Sequence, residues 1–384
     1  MRVVRLTKED ELQSIAAAWN GLAGGVPFRS HDWLASWWRH YGGGHELCVM
    51  AAFDERHQLA GLAPLYLDRS AAGGRVLKLL GEGEICSEYL SVLAAAGREE
   101  SAIAAIAEEL TGGDLARPHE TGGDWELLEL TGVGADDANV VLLVGRLVEA
   151  GARVHRREGS RCWRIELPAS WDEYLEGMSR SHRKQVRRVE RRMLESGRAV
   201  LHTADAESLD GAMGILVDLH QRRRQSLAQP GCFASASFSG FLHESAARLL
   251  ASGRLELHWI EIDGRPVAAE FHLLGDHVVG NHQVGGGVVY AYQAGVDPEA
   301  LADEPGRIIN IAAIRRAIEL GRRGFDFLRG DEPYKAHWRA VPRATLDLRI
   351  VPPAASARLR HGVWLAGDAV KQLIKTGLNL AGMR

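Results

Sequence analysis

Phe325-Asp-Phe-Leu-Arg-Gly-Asp-Glu-Pro-Tyr-Lys-Ala-His-Trp338 is the most distinctive stretch of the chain. An apolar run breaks into Arg329, Gly330, Asp331 and Glu332, and Lys335 follows. The apolar part predicts a short strand over 324–328, and Pro333 predicts a turn into a short helix closing at Trp338. Fixed charges at the carboxyl end of a sheet strand stand where ligands of open α/β sheets bind. The same residues also fit a salt-bridged turn, with Asp331 capping the helix and Lys335 reaching outward. Spacing alone leaves both readings open.

Upstream, Ile308, Ile309, Ile311, Ala312, Ile314, Ala317 and Ile318 predict a nearly all-apolar helix that opens at Asp303-Glu-Pro-Gly306 and stops at Gly321. Residues 255–262 and 266–274 flank Asp263-Gly264, a hairpin signal, and 277–284 is the expected third strand of a meander. Gly285, Gly286 and Gly287 then read as a loop leading through Tyr290 and Tyr292. Helices are expected over 206–228 and 237–251, and a closing strand over 345–351.

The first half has a similar grammar. A strand at 3–6 precedes a helix; Ser30 then caps another, with Trp33, Trp37 and Trp38 at helical spacing. Strands are expected at 47–53, 59–67, 88–93, 125–130 and 162–167, with helices at 101–110 and 138–150. Phe53-Asp-Glu-Arg-His-Gln-Leu-Ala-Gly-Leu-Ala-Pro-Leu65 and Ile262-Asp-Gly-Arg-Pro-Val-Ala-Ala-Glu-Phe271 are both strand, polar turn, strand, which suggests a diverged duplication. The fold class is mixed α/β (α+β), with mostly antiparallel sheets flanked by helices. At 384 residues the chain exceeds one ordinary core. The expected domains are 1–167, 168–351 and a helical tail, 352–384. In the tail Leu359, Val363, Leu365, Val370, Leu373, Ile374 and Leu378 make an amphipathic pattern suited to packing on the body, a partner, or a membrane surface. Packing on the body is the expected use.

With 46% hydrophobic residues, 25% charged and a net charge of −4, the composition argues against a wholly basic nucleic-acid-binding surface. Cys48, Cys86, Cys162 and Cys232 form no CxxC pair, so neither a disulfide framework nor a zinc site is expected. Charges at Lys8 to Glu11 interrupt any secretory signal, and no long apolar run is present; a cytoplasmic protein is expected. Arg180, Arg183, Lys184, Arg187, Arg188 and Arg191, with Arg192 adjacent, fall on one helical stripe opposite Val186, Val189 and Met193. Such a stripe is a solvated face or a contact for a phosphorylated or nucleotide-linked sugar, a tRNA-borne donor or an anionic membrane. It lacks interleaved aromatics for sequence-specific nucleic-acid readout.

Phe28-Arg-Ser-His-Asp-Trp-Leu34, Gly61-Leu-Ala-Pro-Leu65, Pro266-Val-Ala-Ala269, Pro305-Gly306 and above all Phe325 to Lys335 resemble the GNAT-type family of bacterial acetyltransferases. That family includes CelD-like polysaccharide-biosynthesis proteins and relatives of the Fem-type peptidyltransferases. The resemblance implies a tandem GNAT-like fold and acetyl-CoA as cosubstrate. Its pyrophosphate would be seated by Pro305, Gly306, Arg307 and Ile308, where helix amides and dipole favour an anion. Asp303 and Glu304 place negative charge beside that site. Lys335 matches a lysine near the transferred acyl group in Fem-type relatives, which implies charge stabilisation. Glu270 and His282 are base candidates on neighbouring strands, and Asp331 orients the lysine or holds substrate. Asp326, Arg329, Tyr290 and Arg187 are the expected substrate contacts. The leading function is N-acetyl transfer to an amino sugar or similar acceptor in surface-polysaccharide metabolism, with no metal. The alternatives are Fem-type aminoacyl transfer from charged tRNA to a cell-wall precursor, or a scaffold in a polysaccharide-synthesis complex docking through the tail.

Overall fold

The computed structural model describes residues 1–70, 73–112, 125–275, 277–279, 282–284 and 286–380, with side chains left out at 277–279, 282–284 and 370–380. Apolar runs such as Glu46–Phe53 are buried along almost their whole length, as expected of strands covered on both faces. The first sheet takes β1 (Arg2–Leu6), β2 (Glu46–Phe53), β3 (Leu59–Ser70), β4 (Gly74–Leu79), β5 (Leu93–Ala94), β6 (Leu127–Gly134), β7 (Arg153–Glu158) and β17 (Thr345–Val351). The second takes β8 (Cys162–Glu166), β9 (Ala199–Thr203), β10 (Leu255–Ile262), β11 (Arg265–Leu274), β14 (Val288–Val296), β15 (Gly324–Arg329) and β16 (Val341–Arg343). A small hairpin, β12 (His277–Val279) with β13 (His282–Val284), stands apart.

The sheets repeat each other strand for strand. The path β1-β2-β3-β4-β6-β17-β7 corresponds to β9-β10-β11-β14-β15-β8-β16. In each, the fourth and fifth strands are parallel and every other neighbouring pair is antiparallel. The sixth strand of each comes from the other half of the chain: β8 lies between β15 and β16, and β17 between β6 and β7. The sheets therefore do not divide at 167 or at 351. The duplication read from two hairpins extends to whole sheets, closed by an exchange of strands.

Three local expectations are corrected. The meander's third strand is β14, not 277–284, because the extra β12–β13 hairpin intervenes. Tyr290 and Tyr292 accordingly lie in a strand rather than a loop. The expected strand at 88–93 shrinks to Leu93–Ala94, because Tyr89 adopts a left-handed backbone (φ 58°) that no strand accommodates. The unexpected strands β4, β7 and β9 are short and rich in Arg, Gly or His. Ser30 caps the helix His31–Tyr41 as read, its hydroxyl accepting from the Trp33 amide.

The main core runs through the first sheet and on to the inner face of the second. Phe28, Trp33, Phe241 and Tyr292 join the two, with Trp33 edge-on to Phe241 at 4.7 Å and to Tyr292 at 5.1 Å. A separate core lies on the outer face of the second sheet, under the helix Pro305–Glu319, whose Ile308, Ile309, Ile311 and Ile314 are completely buried. The space between the sheets is thus closed by aromatics at one level and left open where polar side chains take over.

Candidate active site

Opposite β15, the segment after β4 turns sharply through left-handed Cys86 (φ 52°) and Tyr89 (φ 58°). Leu328 (φ 57°) and Gly330 (φ 109°) bend the other wall. Non-glycine residues in this conformation cost energy and persist where surrounding contacts over-determine them. Here they aim polar groups into the cleft between the sheets. The Tyr89 hydroxyl donates to Asp326 Oδ2 at 2.7 Å, and the Leu328 amide donates to Oδ1 at 2.8 Å. Asp326 is completely buried, and burial pushes its carboxyl up to about 6 despite the Tyr89 hydrogen bond. Glu88, also completely buried, pairs with Arg329; burial raises its carboxyl, with the guanidinium pulling the other way. Its second oxygen has no hydrogen-bond partner. Cys162 lies against both acids, and burial keeps its thiol protonated and so poorly nucleophilic.

Two cavities flank this core. One of about 440 Å³ is lined by Arg29, Tyr89, Asp136, Arg164, Tyr290 and Arg343. The other, of about 250 Å³, is lined by Glu82, Cys86, Glu88, Thr131, Arg329 and Asp347. Arg29 is built into the wall, donating to the Tyr89 carbonyl at 2.5 Å and to Asp137 at 2.7 Å. Arg164 and Arg343 share Glu166, at 3.3 and 2.5 Å, so the larger cavity carries three arginines against the carboxylates of Asp136, Asp137 and Glu166.

Lys335 is buried, and its ammonium donates to the carbonyls of Leu328, Arg329 and Gly330 at 3.2, 2.6 and 3.0 Å and pairs with Glu332 at 2.9 Å. It braces the turn that carries Arg329. Asp331 lies on the rim and accepts from Trp163 Nε1 at 3.0 Å and Arg161 at 3.2 Å; the short helix Pro333–His337 has Glu332, not Asp331, at its cap.

Glu270 lies on the outer face of the second sheet, buried and accepting from His272 Nε2 at 2.8 Å. His258 stands edge-on to His272 at 5.2 Å and reaches Glu256, which the His258 hydrogen bond and Arg316 hold near about 2 against burial. The backbone of His282 is in β13, and its side chain lies outside the described residues.

β14 and β15 part early. They pair only over Val288–Tyr290 and Gly324–Asp326, then diverge, and the helix Pro305–Glu319 begins beyond β14. A methyl on Gly306 would meet nothing nearer than Val296 at 3.8 Å, so backbone there is open to close approach. Pro305 and Ile308 are buried, and Arg307 is bound by Glu304 at 2.9 Å. Asp303 is neutralised by Arg198 at 3.3 Å. His182, on the basic helix Arg180–Val189, stands 5.7 Å from the His337 ring; burial, His337 and Arg307 lower its pKa. The basic stripe is solvent-facing at Arg180, Lys184, Arg187, Arg188, Arg191 and Arg192, and Arg187 pairs with Asp172 at 2.7 Å.

Tyr290 therefore lines the larger cavity and Arg329 the smaller, Asp326 is buried behind Tyr89, Pro305–Ile308 lie with His182 in another region, and Glu270 is on the far face. Glu88, Tyr89, Arg29 and Arg164 were missed. Arg29 lay within a stretch quoted for its resemblance, whereas Glu88 and Tyr89 carry no signal beyond unusual polarity in an apolar segment.

The fold is a tandem GNAT-like one, two mostly antiparallel sheets flanked by helices. Residues 180–336, which hold most of the second sheet and the helix Pro305–Glu319, match the acetyltransferase (GNAT) domain family. Among solved structures, FemX aligns over 91% of this chain and 97% of its own, with 11% identity and a TM-score of 0.59. The C-terminal domain of a lysylphosphatidylglycerol synthetase from Agrobacterium fabrum aligns over 92% and 95%, with 10% identity and a TM-score of 0.52. L-PGS from Bacillus licheniformis aligns over 96% and 98%, with 12% identity and a TM-score of 0.51. These likenesses are of fold. Compared by sequence with curated proteins, the chain matches none.

Proposed function

We propose that this chain transfers an acyl group, acetyl in the simplest case, from coenzyme A to the amine of an anionic acceptor such as an amino sugar destined for surface polysaccharide. The observation that carries the reading is the parting of β14 from β15 beside the open Gly306 backbone. Strand edges that separate leave peptide groups unpaired, and an arm containing amides satisfies them as an added strand would. The diphosphate of such a donor then meets a helix N-terminus, His182 and His337, with Arg307 neutralising Glu304 beside it. With Arg198 and Arg307 holding Asp303 and Glu304, these acids no longer oppose it.

The acceptor enters the 440 Å³ cavity, where Arg29, Arg164 and Arg343 hold its anionic group. An incoming ammonium must lose a proton before it attacks a thioester. Asp326, poised near 6, receives that proton through the Tyr89 hydroxyl. The amine attacks the thioester carbonyl, the C–S bond breaks as the amide forms, and the proton the nitrogen loses in that step goes to the departing thiolate. Lys335 positions the turn rather than touching the acyl group, and Glu270 supports the outer face.

Thermal shift against acetyl-CoA, longer acyl-CoAs and free CoA tests this. A ligand held at a hundred times its Kd stabilises the native state by about 2.7 kcal/mol. A raised Tm with acyl-CoA is expected; no shift with any CoA species overturns the reading. The exposed basic stripe favours a second reading, aminoacyl transfer from charged tRNA as in Fem-type proteins. Salt-sensitive binding of charged tRNA without a CoA shift would establish that one instead.

A further inference from the structure

The helix Ala355–Leu380 is docked the wrong way round for a helix that merely covers the body. Its inward positions are Ala357, His361, Trp364 and Asp368, spaced by four, three and four residues as one helical face. Trp364 is gripped between Arg157 and Arg349, whose guanidinium carbons lie 4.3 and 4.0 Å from its ring, and it stands edge-on to His155 at 5.3 Å. Asp368 pairs with Arg157 at 3.0 Å, and Arg360 with Glu126 at 3.1 Å. This mixed face, Ala357 and Trp364 with His361 and Asp368, is thus anchored to the first sheet, Ala357 beside Val76, Leu127 and Val351. Leu359 and Val363, one turn apart on the opposite side, are 72% and 69% exposed, and Leu365 is 39% exposed. In the sequence the same spacing continues at Val370, Leu373, Ile374 and Leu378.

A second feature says what covers that stripe. The helix carries Arg358, Arg360, Lys371 and Lys375 against Asp368, and the adjoining edge strand β7 carries Arg153, Arg156 and Arg157 against Glu158. Together with Glu126, which Arg360 engages, these are a formal +4 on a chain whose total is −4. Arg153 and Arg358 are exposed on the helix's side of the sheet, and Arg156, opposite Leu348, on the other. A second copy would bring like charges together along both flanks of the stripe, whereas an anionic bilayer surface complements apolar centre and cationic edge at once. No helix among the described residues is long and apolar enough to cross a membrane.

We propose that this helix lies in the surface plane of an anionic membrane, apolar stripe inward, and holds the enzyme there. Flotation of the full chain with phosphatidylcholine vesicles, with and without phosphatidylglycerol, tests it. Binding is expected only with phosphatidylglycerol and should weaken from about 0.1 M to about 1 M salt, as the screening length falls from about 10 to about 3 Å. Leu359→Ser with Val363→Ser should lower the bound-to-free ratio about tenfold or more, with Tm unchanged because both side chains are already in water. Arg153→Glu with Arg358→Glu should weaken binding without touching the stripe. No binding to anionic vesicles, or binding that the serine pair leaves intact, overturns the proposal. So does a stable dimer in sedimentation velocity that the serine pair dissociates, since the occupant would then be a second copy.

Discussion

Lys335 occupies the position in the sequence most easily read as catalytic, and the fold turns its charge onto its own backbone. Three carbonyls of a turn with left-handed Leu328 and Gly330 converge on one ammonium. Sequence showed that a cation follows a strand end; only the φ values reveal that the turn needs one. Lys335→Met leaves those carbonyls without a donor, so a loss of about 1–3 kcal/mol in unfolding free energy is expected, measured by urea denaturation. Unchanged stability together with lost turnover would return Lys335 to the acyl group. Asp326 makes the opposite case, being legible as a polar residue in a strand but not as a group buried behind Tyr89. Its carboxyl sits near about 6 against about 3.9 in an unfolded chain. Between those values the folded state binds the extra proton, so its contribution favours folding at pH 4 and is lost as pH rises through 6, by about 3 kcal/mol. Asp326→Asn removes this dependence. The stability of the variant relative to wild type should therefore rise between pH 4 and pH 7, and the pH–rate rise with midpoint near 6 should disappear. A parallel stability profile for the two proteins would show that Asp326 does not titrate in this range.

Elements were legible where one periodicity ruled them. The isoleucine-rich helix Pro305–Glu319 and strands β10 and β17 lie within two residues of expectation, because burial on their faces enforces the pattern. The segment 80–98 was not legible. It holds the place in the first sheet that the loop 297–304 holds in the second, between the parallel pair's first strand and the following helix. Its helix, Glu99–Gly112, opens on two glutamates, which disfavour an anion at its N-terminus. The first sheet thus repeats the architecture around Pro305 with acids in place of Arg307 at the helix start. Its loop instead contributes Glu88 and Tyr89 to the cleft against β15, a role set by left-handed turns that leave no hydrophobic signature. The three-residue parallel pairing is the same in both sheets, Val76–Lys78 with Leu127–Glu129 and Val288–Tyr290 with Gly324–Asp326. The two sheets thus share a strand order and a pairing register, and differ in the loop and helix start that follow the fourth strand.

At the scale of the molecule, the exchange of β8 and β17 makes the two sheets depend on one another. Without β17, β7 loses its partner and β6 becomes an edge; without β8, β16 is left unpaired and β15 is exposed. A sequence read in order suggests a boundary near 167, because nothing local distinguishes a strand that returns to its own sheet from one that crosses. The shared aromatic core adds to the dependence, since Phe241 and Tyr292 pack on Trp33, and truncating a buried aromatic typically costs about 3–5 kcal/mol. Residues 1–167 alone should therefore lack the strand that joins β6 to β7, and 168–351 alone the strand that joins β15 to β16. Neither should show a cooperative thermal transition by circular dichroism, while the full chain should melt in one step by both circular dichroism and tryptophan fluorescence. Mixing the two fragments during refolding should restore that step, because each supplies the strand the other lacks. Independent, sharp transitions in the separate fragments would mean that each sheet is self-sufficient, and the cleft would then be a contact between finished domains. A restored transition in the mixture alone would instead make the strand exchange the condition for the cleft, since β8 carries Cys162 and Arg164 into it from the first half of the chain.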